Sequence, residues 1–220
     1  MRLTPLSLWA ALACAASLLG GCATPQKLDY TAYKAHHPAS ILVLPPVNNS
    51  PDVNATFSLY SQVTHPLAEA GYYVMPVSLV YETFKQNGLA NAAEIHAVAP
   101  AKLQEIFGAD AGLYITIKRY GSIYTVINSA AVVGADARLV DLKSGALLWS
   151  GSATASNNEG NTSGGGVYGM LITAVVQQII NNVTDASHAV AGITSQRLLS
   201  PKVQTNGLLY GPRSPHYGKD

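Results

Sequence analysis

The 220 residues suffice for one domain with a sizeable core, and an apolar share of 48% excludes an intrinsically disordered chain. Only 11% of residues are charged, 13 basic against 12 acidic. No Lys/Arg stripe of the kind that nucleic-acid binding needs is present.

The N-terminus opens with Met1-Arg2 and continues as the uncharged, mostly apolar run Leu3 to Leu19, closing at Leu19-Gly20-Gly21-Cys22. Such a run is too short and too poorly flanked to span a bilayer. Small residues ahead of a single cysteine are the processing signature of a bacterial lipoprotein. Residues 1–21 are therefore read as a signal peptide that is removed, and Cys22 as the site of covalent lipid, palmitate included. Cys14 leaves with the signal, so the mature chain has no free thiol and no disulfide, which an oxidising periplasm tolerates. Ala23 stands where an Asp would favour inner-membrane retention, so the expected location is the outer membrane, with the domain in the periplasm. Acyl chains contribute about 0.8 kcal/mol per buried methylene, and two or more anchor stably.

Residues 22–39 are polar, contain Pro25 and Pro38, and are expected to form a tether in which His36-His37 is solvated. The domain proper is expected at 40–200. Ile41-Leu42-Val43-Leu44, stopped by Pro45-Pro46, has the composition of a strand buried on both faces. Phe57, Tyr60, Val63 and Leu67 recur at helical spacing up to Gly71, with a kink or a break in the last turn expected at Pro66. Tyr72 to Met75 predicts a second strand, and Leu79, Val80 and Phe84 a second helix. Residues 89–98 predict a short helix or loop. Pro100 opens a third helix with Leu103, Ile106 and Phe107 as its apolar face, ended by Gly108.

From Ala111 the period changes to two. Leu113, Ile115 and Ile117 predict a strand, Gly121-Ser122 a tight connection, and Ile123, Thr125 and Ile127 a second strand. Ala135, Ala137 and Leu139 predict a third, and Asp141 to Gly145 a hairpin loop leading into Leu147, Trp149 and Gly151. After the polar, glycine-rich stretch 156–166, Ile172, Val175, Val176, Ile179, Ile180 and Val183 form one helical stripe. That helix is expected to continue to Leu199, with Pro201 beyond it and residues 201–220 as an extended tail. The stripe is read as core or, with its uncharged polar flank, as an interface with another subunit. The fold class is therefore α/β: a mixed sheet with helices packed on it, a β-α-β start, an antiparallel meander and a long C-terminal helix.

No motif of catalysis emerges. None of the six histidines lies in His-Glu-x-x-His, and neither Gly-x-Ser-x-Gly nor Ser-x-x-Lys occurs. Gly164-Gly165-Gly166 lacks the Lys-Ser/Thr of a phosphate cradle. The expectation is no catalytic residue, no metal and no cofactor apart from lipid on Cys22, with His96 and Glu94 the pair to inspect for an enzyme.

Three stretches carry a resemblance: Ser40 to Asn54, Glu82 to His96, and Ala137 to Asp141 leading to Leu148-Trp149-Ser150-Gly151-Ser152. In this order they closely resemble a family of bacterial lipoproteins of unknown function, typified by a neisserial surface-antigen candidate. The resemblance implies a fold like the periplasmic domain of CsgG and the N-terminal domain of TolB, and a CsgG-like lipoprotein as partner. It implies no catalytic residues. Unlike CsgG, the sequence offers no pair of alternating strands of about 9–11 residues suited to a pore-forming hairpin. The expected function is a non-enzymatic accessory or interaction component of a cell-envelope assembly, with self-association as a homo-oligomer open to it and no nucleic-acid partner. The alternatives are a cell-wall hydrolase or binding protein, and a surface antigen or adhesin.

Overall fold

The computed structural model describes residues 28–124, 129–158, 186–201 and 206–219. The first element among the described residues is a short helix, α1 (Thr31–His36), followed by the strand β1 (Ser40–Val43). Ile41, Leu42 and Val43 are all fully buried, as an unbroken apolar strand must be when both faces of its sheet are covered. β1 pairs in parallel with β3 (Tyr73–Val74) on one side and β4 (Ala111–Tyr124) on the other, and the two-residue β2 (Val47–Asn48) also joins β4. β5 (Ser129–Asp141) and β6 (Leu147–Ser156) extend the sheet antiparallel, giving the order β3-β1-β4-β5-β6. This is the mixed sheet that the periodicity predicts.

The remaining helices divide between its faces. α2 (Ala55–Gln62), α3 (Thr64–Glu69) and α7 (Ala186–Leu199) lie on one face, over Ile41, Val43, Leu113, Ile115, Ile117, Val133, Leu139 and Trp149. α4 (Val77–Gln86), α5 (Ala92–His96) and α6 (Pro100–Phe107) cover the other, over Leu42, Leu44 and Tyr114. There Val80, Phe84, Ile95 and Leu103 supply the packing.

Several expectations require correction. The chain does not turn at Gly121-Ser122: β4 runs 14 residues unbroken, and its partner β5 runs 13, paired from Ala111↔Asp141 to Tyr124↔Ser129. The irregularity instead lies between Ile117 and Arg119. Two successive exposed residues, Lys118 and Arg119, shift the pleat by one, so that Tyr120 rejoins Ile117 on the core face. A long antiparallel pair is therefore present, contrary to the sequence reading. One side of it is committed to the core beneath α7. Of the kink or break expected at Pro66, the structure has a break, three residues earlier. The helix breaks at Val63, and Pro66 sits in the first turn of α3, where a missing N–H is cheap. Phe57 and Ile106, assigned to apolar faces, are exposed.

The two ends of the chain differ most from expectation. In the stretch expected to be a tether, α1 buries Tyr33 in the main core. The expected extended tail packs back on the domain, with Leu208 buried. Both carry tyrosines and leucines whose apolar bodies gain more by burial than by hydration. The predicted stripe Ile172 to Val183, and Cys22, lie outside the described residues. The helix expected to follow the stripe is described as α7, from Ala186 to Leu199.

Candidate functional site

The two chain ends meet over one end of the sheet and enclose a cavity of about 210 Å³. Tyr33, Lys34, His37 and Pro38 line it from the N-terminal side, Leu209, Tyr210, Tyr217 and Gly218 from the C-terminal side, and Tyr72 from between them.

A hydrogen-bond chain sets its geometry. Tyr72 donates to the Leu209 carbonyl at 2.7 Å, so in the 2.6 Å contact between the Tyr33 and Tyr72 hydroxyls it is Tyr33 that donates. Buried phenols need such partners, because an unpaired hydroxyl away from water costs about 1–3 kcal/mol. At the start of α1, the Leu28 N–H donates to Asn206 Oδ1 at 3.1 Å and Tyr30 donates to the Gly207 carbonyl at 2.6 Å. The Asn206 carbonyl accepts from the Trp149 indole at 3.0 Å, which ties both ends to the sheet. At the other end of α1, His37 closes the helix in the left-handed region at φ 45°, its N–H bonded to the Tyr33 carbonyl. This aims its ring at Tyr217, and Nδ1 lies 2.7 Å from the Tyr217 hydroxyl.

The C-terminal segment is held by backbone. Gly211 N–H donates to the Ala70 carbonyl at 2.8 Å and Arg213 N–H to the Gly71 carbonyl at 3.1 Å. Gly71 has φ +94°, and a side chain there would collide with Ser214, while one on Gly211 would lie 2.6 Å from the Gly71 oxygen. Only glycine at both positions permits this approach. The Arg213 guanidinium lies over the Tyr73 ring, 5.4 Å from its centre.

Electrostatically the region leans positive. Residues 28–38 and 206–219 carry Lys34, Arg213 and Lys219 against Asp29. The Asp29 carboxyl is held below its usual range by the Thr31 hydroxyl and N–H that donate to it. Neither Lys34 nor Arg213 forms an ion pair among the described residues.

The residues singled out for chemistry are not brought together. His96 Nε2 lies 3.0 Å from the Pro45 carbonyl, and its ring meets Tyr114 edge-on at 5.3 Å. Burial holds its pKa below the ordinary imidazole value. Glu94 is exposed on the other side of α5. His36 and His37 are not merely solvated: His36 Nδ1 lies 2.8 Å from the Ala32 carbonyl, and His37 bonds Tyr217. One contact escaped the sequence reading. Ser58 Oγ lies 2.7 Å from His188 Nδ1 and accepts from Tyr120 at 2.6 Å, with Gln62 at 2.7 Å from His188 Nε2. These groups bridge α2, α7 and β4. Among the described residues no cluster of three or more His, Cys, Asp or Glu is placed to hold a metal, and no helix is long and apolar enough to cross a membrane. The tyrosines of the cavity were missed as well; Tyr30 and Tyr33, three apart in a supposed tether, were the available signal.

Comparison with known proteins places this architecture. The family model described as "Putative lipoprotein GNA1162-like" matches residues 28–213. A Neisseria meningitidis serogroup B protein described as a "Putative lipoprotein" is 53% identical over 185 residues, covering 84% of this chain and 85% of that one. The crystal structure of lipoprotein GNA1162 from Neisseria meningitidis is 56% identical with a TM-score of 0.54, covering 66% of this chain and 100% of that one.

Proposed function

The chain belongs to the GNA1162-like lipoprotein family, and from that premise we propose that it is an outer-membrane lipoprotein, acylated at Cys22, that acts as a non-enzymatic accessory component of a cell-envelope assembly. The observation that carries this reading is the spacing between anchor and domain. Leu28, which is bonded to Asn206 in the domain, follows Cys22 by six residues. Six residues reach at most about 20 Å, so the lipid would hold the domain close against its leaflet and leave the rest of its surface to partners. Ala23 after the cysteine supports the outer membrane, and the resemblance noted in the sequence supports a CsgG-like lipoprotein as partner. The uncharged stripe Ile172, Val175, Val176, Ile179, Ile180 and Val183 is the proposed contact with a partner or a second copy.

Growth with radiolabelled palmitate, membrane fractionation and detergent co-purification test it. Wild type is expected to be labelled, to fractionate with the outer membrane and to purify in a larger complex. Cys22→Ser is expected to lose label and membrane association. A labelled chain that is strictly monomeric, with no crosslinked partner in cells, overturns the accessory role. Removal of the domain by protease from whole cells moves it to the outer surface and favours an antigen or adhesin. The Ser58–His188 contact favours a hydrolase as second reading, and Ser58-dependent labelling by a fluorophosphonate would establish it.

A further inference from the structure

We infer that the tyrosine- and cation-rich surface around the cavity between α1 and the C-terminal segment is a docking site for the phosphate headgroups of an anionic phospholipid bilayer, fixing how the domain lies on its membrane. The inference rests on the proposed acylation of Cys22 for its biological setting, but not for its chemistry.

Three observations converge on this surface. The first is position: Leu28, six residues after Cys22, is tied to Asn206 beside the cavity, and Lys34 lies on α1 just after it. A tether of six residues and about 20 Å therefore delivers this end of the domain, not the far end of β4 and β5, to the leaflet. The second is aromatic content. Six of the chain's 12 tyrosines lie here: Tyr33 and Tyr72 are buried beneath the surface, Tyr30 and Tyr210 are half-buried, and Tyr73 and Tyr217 are exposed. Tyr73 and Tyr217 are 46% and 41% exposed, large apolar surfaces left in solvent with a polar tip. Rings of that kind are enriched where headgroups meet hydrocarbon. The third is charge. Lys34 lines the cavity and makes no ion pair among the described residues, and Arg213 is held by stacking on Tyr73 instead of by a carboxylate. A guanidinium and an ammonium so placed offer N–H donors to phosphate oxygens. Elsewhere Lys85, Lys102 and Lys118 each face an acidic neighbour, while Arg119, Arg138 and Lys143 are exposed without an ion pair among the described residues and do not line this cavity.

The test uses the full mature chain with Cys22→Ser, so that no acyl chain contributes, sedimented with vesicles. Binding is expected to phosphatidylglycerol/phosphatidylcholine vesicles and not to phosphatidylcholine alone, weakening as salt rises. Each cation near an anionic surface is worth roughly fivefold in affinity, so Lys34→Gln with Arg213→Gln should bind about 25-fold more weakly. Arg119→Gln, at the opposite end of β4, should bind as the parent does. Should the double variant fold poorly by circular dichroism, Lys34→Gln alone, at an exposed side chain, carries the comparison, and the salt series reads the same charges with no substitution. Equal binding to neutral vesicles, no binding, or an unaffected Lys34→Gln overturns the inference. Palmitate labelling of Cys22 in cells is read separately: a labelled protein whose Cys22→Ser form ignores anionic vesicles keeps its anchor and loses only this docking site.

Discussion

The two faces of the sheet are closed in different ways. On the face beneath α2, α3 and α7 the core is continuous from β1 to β6, and the two chain ends add Tyr33 and Leu208 to it. On the other face α4, α5 and α6 cover only β1, the start of β4 and the turn after β5, through Val80, Phe84, Ile95, Leu103 and Leu142. Beyond that, Lys118, Asp136, Arg138, Ser152 and Thr154 on β4, β5 and β6 stand half-buried or exposed. The difference follows from the strands themselves. β1 is apolar on both sides and must be covered twice, whereas β5 and β6 alternate and need one cover. Residues 28–38 and 206–219 therefore add to the core on the first face, and among the described residues none of them joins the core on the second.

Substitutions can break this comparison or sharpen it. The largest effect is expected at Trp149, 1% exposed beneath the first face and bonded to Asn206. Trp149→Ala should destabilise by about 3–5 kcal/mol in urea unfolding. It should also expose the C-terminal segment to limited proteolysis. Leu103→Ala, fully buried under the second face, should cost about 2–4 kcal/mol and leave the C-terminal segment as protected as in wild type. Equal proteolysis in both variants would show that the faces are not independent. Tyr72→Phe removes the hydroxyl between Tyr33 and the Leu209 carbonyl. About 1–2 kcal/mol should be lost, read as a lower urea midpoint at unchanged slope.

The smallest effect is a pH dependence on the second face. Burial keeps the His96 pKa below its unfolded value, so between the two values the unfolded chain binds more protons than the folded one. The stability associated with neutral His96 is complete above about pH 6.5 and is lost as pH falls from there through the lower folded value. His96→Gln should flatten that part of the stability profile. An identical slope in wild type and variant would remove His96 as its source.

How much of this was legible varies by element. The all-apolar Ile41 to Leu44, the break of helical pattern before Gly71 and the change to period two at Ala111 each follow from local chemistry, and the structure has all three. The continuity of β4 through Gly121 was not legible. A glycine-serine pair reads as a turn, and only pairing with thirteen residues of β5 keeps the chain extended there. The cavity was hidden for a similar reason. Its walls come from residues 33–38, 72 and 209–218, which no local window joins, and each end alone looks polar and rich in turn formers.

The sequence by itself determined the mixed α/β sheet and singled out Cys22 as the candidate for lipid, because strand periodicity and a short apolar leader are local patterns. The tertiary structure alone decided that α1 and the C-terminal segment belong to the domain. That outcome depends on a backbone approach between Gly71 and Gly211, on Tyr33 meeting Tyr72, and on Asn206 meeting both Leu28 and Trp149. Contacts between residues 39 to 178 apart leave no period to read, and they turn two polar chain ends into one surface.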